Sequence, residues 1–231
     1  DSITLNFEIV QRSPEIEAKL DQVIVSKIGY DTLVSKTLTE NGLVEFNKKV
    51  RLPDDLSYTE PYWLQAENDG FTFTVDNQML IGRDENPPLL EAEFALTVNG
   101  QSLDITTPII YKRNDPRKGE TYRPFVIIPP VLVSLSEDVY VFASQEPQTV
   151  TATVEAGRSD IQGDVSLEVP AGWSVSPAQY NYNISLKGQE QEFVFTVTPP
   201  DGASTGEVRV VADYDGQTYD QSMETIENEH I

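Results

Sequence analysis

Glu93-Phe94-Ala95-Leu96-Thr97-Val98-Asn99-Gly100-Gln101-Ser102-Leu103-Asp104-Ile105 is the stretch on which the fold turns. Phe94, Leu96 and Val98 recur at every second position, as do Leu103 and Ile105. That is the period of a half-buried strand. Asn99-Gly100 supplies two residues that tolerate positive φ, which a two-residue hairpin turn requires. The stretch therefore predicts an antiparallel hairpin. The same logic applies to Asp215-Gly216, which divides Val208–Tyr214 from Gln217–Thr225. Alternation also marks Ile3–Ile9, Phe71–Val75, Phe193–Val197 and Val208–Ala212 as strands. The expected fold class is all-β, with antiparallel sheets.

Working outward, the pattern occurs twice. Phe71–Val75 precedes Pro87-Pro88 and then the Asn99-Gly100 hairpin. Phe193–Val197 precedes Pro199-Pro200 and then the Asp215-Gly216 hairpin. Each half also holds one Trp upstream, Trp63 and Trp173. Two copies of one plan predict two tandem Ig-like or fibronectin-type-III-like β-sandwiches, at 1–122 and 123–231. The boundary is expected in Lys112–Pro124, a polar stretch that interrupts the alternation and reads as a solvated linker. It holds Lys112, Arg113, Arg117, Lys118 and Arg123, so a hinge held by charge attraction is the alternative. Pro129-Pro130 should open an edge strand, where a missing N–H costs nothing. Residues 13–28 admit two readings. Ser13-Pro14-Glu15 is a helix-start pattern ahead of Ile16, Leu20, Val23 and Ile24. The β-branched run Val23-Ile24-Val25 favours a strand.

Composition narrows the chemistry. The 231 residues include 38 acidic and 16 basic side chains, a net charge of −22. Such a charge opposes binding to a phosphate backbone, so no nucleic-acid partner is expected. The charge is uneven: 13 basic and 21 acidic residues lie up to Arg123, and 3 and 17 beyond it. There is no Cys, and His230 is the single His. These counts exclude a disulfide framework, a cysteine nucleophile and a Cys- or His-rich metal site, and they disfavour a Ser-His-Asp triad. No cofactor motif occurs: there is no P-loop, G-x-G-x-x-G, H-E-x-x-H or G-x-S-x-G. No apolar run approaches the roughly 20 residues of a membrane-spanning helix. The start at Asp1 and the end at Glu229-His230-Ile231 suggest a piece of something longer.

Candidate functional residues are few. Asp54-Asp55, Asp84-Glu85 and Glu137-Asp138 are carboxylate pairs, but no apolar surroundings mark any of them as catalytic. Asp213–Glu224 has acidic residues at the ends of a calcium-loop spacing, yet its glycine is misplaced and a hairpin explains it better. Aromatic residues are the better lead. Trp63, Trp173, Tyr180 and Tyr182 are the candidate ligand-binding residues, as stacking platforms for a sugar ring. Trp173 shares its strand parity with Val169 and Val175, which favours the core, whereas Tyr180 and Tyr182 read as surface residues. Asn183-Ile184-Ser185 matches the short N-glycosylation pattern.

Two stretches carry a family resemblance. Residues 164–212 contain Val169-Pro170-Ala171-Gly172-Trp173-Ser174-Val175-Ser176-Pro177 and, after a turn at Lys187-Gly188, Phe193-Val194-Phe195-Thr196-Val197-Thr198-Pro199-Pro200. This resembles the α-galactosidase-associated Ig-like domain, a module appended to exported bacterial glycan-active enzymes. The second set is Pro61-Tyr62-Trp63-Leu64, then Leu80-Ile81-Gly82-Arg83-Asp84-Glu85-Asn86-Pro87-Pro88, then Asp115–Pro124 and Ile128-Pro129-Pro130-Val131. In that order the motifs resemble the C-terminal region of large Bacteroidetes-type PIG-L/LmbE-family proteins, which are N-acetylglucosaminyl deacetylase-like. The resemblance implies β-sandwiches that follow a zinc-dependent catalytic domain. The family's H-P-D-D-type zinc motif cannot be placed here, because Leu52 precedes Pro53-Asp54-Asp55 where His is needed. The implied function is a non-catalytic accessory region of an exported deacetylase-like hydrolase, periplasmic or extracellular. Its implied partner is the upstream catalytic domain of the parent chain. A carbohydrate-binding module, with a glycan as ligand, is the alternative. A cell-surface spacer or protein-interaction module working by strand addition is the third reading.

Overall fold

The computed structural model describes residues 2–66 and 71–224. His230 and the C-terminal Glu229-His230-Ile231 lie outside them. The regular structure of the described chain is almost wholly antiparallel strand, in two compact units, Asp1–Ile127 and Ile128–Ile231. The two tandem β-sandwiches expected from the alternation are what the sheets form. The division falls after Ile127 rather than after residue 122, because Phe125 and Ile127 pack against the first core.

In the first unit, β1 (Ser2–Val10) pairs with β4 (Leu43–Arg51) along its whole length. A second sheet runs in the order β3 (Tyr30–Leu38), β2 (Ala18–Val25), β5 (Glu91–Val98) and β6 (Gln101–Pro108). Leu5, Phe7 and Val44 of the small sheet share one core with Leu20, Val23, Phe94 and Leu96 of the larger. Phe7 is its centre: it stacks on Phe46 at 5.0 Å and on Tyr30 at 5.7 Å, and meets Phe94 edge-on at 6.1 Å. The Asn99-Gly100 turn joins β5 to β6 with φ of 48° and 79°, as the hairpin reading requires. β6 is an edge strand, exposed along its length.

Residues 13–28 resolve in favour of the strand, β2. The register shifts between Leu20 and Gln22 on both neighbours: against β5 Asp21 is an extra residue in the ladder, while against β3 the extra residue is on β3. The bulge changes parity, and Leu20 and Val23, three apart, both become fully buried. That spacing is what imitated a helix. Asp21 is held at the bulge by Lys19 at 2.8 Å and by the Thr97 hydroxyl at 2.6 Å.

Two expectations are corrected in this unit. Phe71–Val75 is not a strand; Phe71 is 94 % exposed and Phe73 57 %. Alternation reports amphipathicity, and here neither ring reaches the core. The duplication therefore extends to the two hairpins only. The expected linker at Lys112–Pro124 is instead an ordered ribbon of β7 (Ile110–Asp115) and β8 (Gly119–Pro124). Asp115 builds its turn by accepting the N–H groups of Arg117 and Lys118 at 2.8 and 2.9 Å. These donors hold its carboxyl below the usual range. Lys112 bonds Glu120 at 2.8 Å and lies 3.9 Å from Glu8, so its charge is answered within the first unit.

The second unit packs two four-stranded sheets. One holds β12 (Ser174–Ser176), β14 (Glu190–Thr198), β10 (Gln148–Ala156) and β9 (Val131–Leu135). The other holds β13 (Gln179–Ile184), β11 (Ile161–Glu168), β15 (Arg209–Tyr214) and β16 (Gln217–Tyr219). Val150, Ala152 and Val154 of β10 alternate inward with Phe193, Phe195 and Val197 of β14. They meet Val165, Tyr182, Ile184 and Ala212 of the facing sheet. β9 follows Pro129-Pro130 and is an edge strand, as the prolines predict. The Gln221 carbonyl covers its Val133 N–H at 2.8 Å. The Asp215-Gly216 hairpin forms with φ of 51° and 75°.

One pairing in this unit is unfavourable. Glu155 of β10 lies directly opposite Glu190 of β14. Burial pushes the Glu155 carboxyl up, and the Glu190 charge adds to the shift. A carboxyl raised in the fold favours folding below its unfolded value near 4.5, and that contribution is lost as pH rises through the folded value. Glu190→Gln should therefore raise the melting temperature at pH 7 by about 1–2 °C, the scale of a solvent-screened cross-strand pair. At pH 3.5 the gain should vanish. Paired calorimetry at the two pH values checks this.

Candidate functional site

The first-unit members of the second set of motifs converge on one place, while Ile128-Pro129-Pro130-Val131 belongs to the second unit. Pro61-Tyr62-Trp63-Leu64 is a tight turn, closed by the Leu64 N–H on the Pro61 carbonyl at 2.9 Å. Leu80–Arg83 is another, closed by the Arg83 N–H on the Leu80 carbonyl at 3.0 Å. In it Ile81 is extended (φ −60°, ψ 124°) and Gly82 has φ 90°, the geometry of a type II turn that selects glycine.

Asn86 joins the two turns. Its Oδ1 accepts the Tyr62 N–H at 2.9 Å, and its Nδ2 donates to the Glu60 carbonyl at 2.6 Å. The buried Tyr62 completes the tie by donating its hydroxyl to the Arg83 carbonyl at 3.1 Å. Tyr62 also meets Trp63 edge-on at 4.9 Å. Thr59 then fixes the far end of the same unit. Its N–H reaches the Ile127 carbonyl at 2.8 Å, and its hydroxyl accepts the Ile127 N–H at 3.0 Å.

Between these segments lies a cleft of about 520 Å³. Trp63, Pro87, Pro88, Pro124 and Phe125 are among its apolar lining, with Tyr122 from β8. Asp84 and Glu85 line it as well, and both are exposed. Its size suits a small ligand, with apolar walls and few polar groups. Asn86→Ala should uncouple the two turns. The expected cost is about 1–2 kcal/mol for two lost hydrogen bonds in a half-buried setting. A lower melting temperature and a changed Trp63 indole resonance would register it; an unchanged Trp63 environment would show that Asn86 does not order the cleft.

The four candidate stacking residues fare differently. Trp63 lines the cleft, half-buried. Trp173, Tyr180 and Tyr182 belong to the second unit. Trp173 packs against the core beside Phe142 at 4.8 Å and donates its indole N–H to Ser204 at 3.2 Å. Tyr180 rests on Phe193 and Phe195 at 5.4 and 5.1 Å, its hydroxyl on the Val194 carbonyl at 2.8 Å. Tyr182 corrects its surface reading: it is 2 % exposed and donates to the Asp213 carbonyl at 2.9 Å. Burial, helped by the Asp213 charge, pushes its phenol well above the usual range. In Gln179–Asn183 the tyrosines take the inward positions of β13 and the amides the outward ones.

The acidic candidates form no site by themselves. Asp54 is paired with Arg51 at 2.9 Å on the surface. Asp213 accepts the Thr218 hydroxyl at 2.8 Å within the Asp215-Gly216 hairpin. Among the described residues no group of three His, Asp or Glu side chains is placed to hold a metal ion. No helix among them is long and apolar enough to cross a membrane.

Sequence reasoning did not assign Tyr122, Asp84 or Glu85 to a ligand site. The signal was present in the ordered motif set, whose first-unit members contribute to the lining of the cleft.

Part of the second unit matches a known family. The family model described as "NPCBM-associated, NEW3 domain of alpha-galactosidase" matches residues 144–215. Those residues take in β10 to β15, the greater part of the second sandwich. The second unit is thus similar to an accessory domain found with a glycosidase. No curated protein matches the chain.

Proposed function

We propose that the chain is a non-catalytic accessory region of a larger, exported, PIG-L/LmbE-like deacetylase acting on N-acetylglucosamine-type glycans. The observation that carries the reading is the match of residues 144–215 to a domain described with α-galactosidase. The ordered motifs of the first unit add to it, since they build one cleft instead of scattering over the surface. The proposed partner is the catalytic domain of the parent chain, in the periplasm or outside the cell. The second sandwich serves as a rigid module beside that domain.

The test is an assay of the chain with zinc on N-acetylated chitooligosaccharides. No release of acetate is expected; turnover clearly above the protein-free blank would overturn the reading.

A second reading, a carbohydrate-binding module, is favoured by Trp63 at the cleft. The exposed β6 edge, with Asp104 as its only charge, is what favours the third reading, strand addition by a protein partner.

A further inference from the structure

The polar groups of the first-unit cleft are unequal in what they can still bond. Three polar side chains that line it or lie beside it are already partly engaged. Asn86 uses its oxygen on Tyr62 and its NH2 on Glu60. The Tyr122 hydroxyl donates to Glu120 at 2.6 Å. The Thr59 hydroxyl accepts from Ile127 and keeps its own proton to donate. Arg123 also lines the cleft and is engaged within the chain. Besides the Thr59 proton, what remains is the Asp84 and Glu85 carboxylates, for which no bonded partner occurs among the described residues, and the Trp63 indole N–H. The unpartnered acceptors in the cleft are thus anionic carboxylates.

This inventory selects a ligand chemistry. A pyranose ring has a flat C–H face for Trp63 and hydroxyls that donate to carboxylates. An ammonium on that ring adds a charge-assisted donor, the strongest partner for Asp84 or Glu85. An N-acetyl group in its place removes the positive charge and with it that bond. The chain's net charge of −22 further favours a cation.

We propose that the cleft holding Trp63, Asp84 and Glu85 binds an amino-sugar residue with a free ammonium, in preference to its N-acetylated form. The proposal rests on the glycan-associated reading above and names the ligand class of that site.

The experiment is calorimetric titration of the chain with a fully deacetylated glucosamine trisaccharide and with its N-acetylated counterpart, near physiological ionic strength. The deacetylated sugar should bind at least about tenfold tighter, the scale of one charge-assisted hydrogen bond. D84N/E85Q should abolish that preference, and W63A should weaken binding of both sugars. E137Q/D138N, which removes two charges from the second unit, should change nothing. Equal affinity for the two trisaccharides would overturn the ammonium requirement and leave the glycan-associated reading standing. A preference that survives D84N/E85Q, or that falls equally with E137Q/D138N, would mean attraction by the acidic surface at large and overturn the site. No binding of either sugar, with a lysine-bearing proline-rich peptide bound instead, would overturn both the site and its glycan-associated basis.

Discussion

Phe195→Ala should cost the second unit about 3–5 kcal/mol, the range for truncating a buried aromatic ring. Phe195 has no exposed surface and is the largest of the fully buried side chains. It sits mid-strand in β14, paired with Val150 of β10, and Tyr180 of the facing sheet crosses it at 5.1 Å. Removing the ring takes apolar area out of both sheets at once and leaves a cavity that two hydrogen-bonded ladders cannot collapse into. Domains of this size hold about 5–15 kcal/mol in all, so the loss approaches the whole for a marginal fold. At about 4–8 °C per kcal/mol, the melting temperature should drop by roughly 15 °C or more. Thermal unfolding with amide exchange read on β10 and β14 measures it. A drop of only a few degrees would mean that the two sheets are not packed around this ring.

Gly163→Ala is the second large effect, and its origin is different. A Cβ at Gly163 would lie 1.9 Å from the Asp213 carbonyl oxygen and 2.7 Å from the Tyr182 hydroxyl. The first of these is backbone. The neighbouring pair Asp164↔Asp213 binds β11 to β15, so the carbonyl cannot retreat without opening the ladder. The cost should be at least the 1–3 kcal/mol typical of overpacking. The double variant Gly163→Ala, Tyr182→Phe separates the two contacts. Removing the hydroxyl should give back little, because the carbonyl clash remains. Full rescue by Tyr182→Phe would show that the side chain, rather than the strand, sets the limit.

Gly163 also shows where sequence reading stops. Within Ile161–Glu168 it looks like a weak point in a strand, and only the neighbouring strand explains it. Local signals were legible wherever the physics is local. Asn99-Gly100 and Asp215-Gly216 specify their turns through their own φ angles, and both hairpins form. Pro129-Pro130 marks an edge strand for an equally local reason. Asp21 defeats local reading because a bulge shifts the parity, so that Leu20 and Val23 face the same side. Phe71–Val75 fails for the opposite reason: its alternation is sound, but no core covers it. The Lys112–Pro124 ribbon depends on Asp115 accepting two backbone N–H groups, which polarity alone does not reveal.

The candidate site was half legible. Trp63 was named, and the motifs around it were quoted in order. Their convergence was not, because it depends on Asn86 bridging Glu60 and Tyr62 across more than twenty residues of chain. Tyr182 was misplaced for a related reason. Its hydroxyl suggested the surface, while the Asp213 carbonyl satisfies that hydroxyl inside the core.

The central claim is that ligand recognition belongs to the first-unit cleft and that the second sandwich supports without binding. The two indole N–H resonances, of Trp63 and Trp173, report on the two units separately. The most direct measurement follows both in a nitrogen–proton correlation spectrum as the glucosamine trisaccharide is added. Trp63 should shift progressively and saturate, while Trp173, held by Ser204, stays fixed. A saturating shift of Trp173 with Trp63 unmoved would contradict the account.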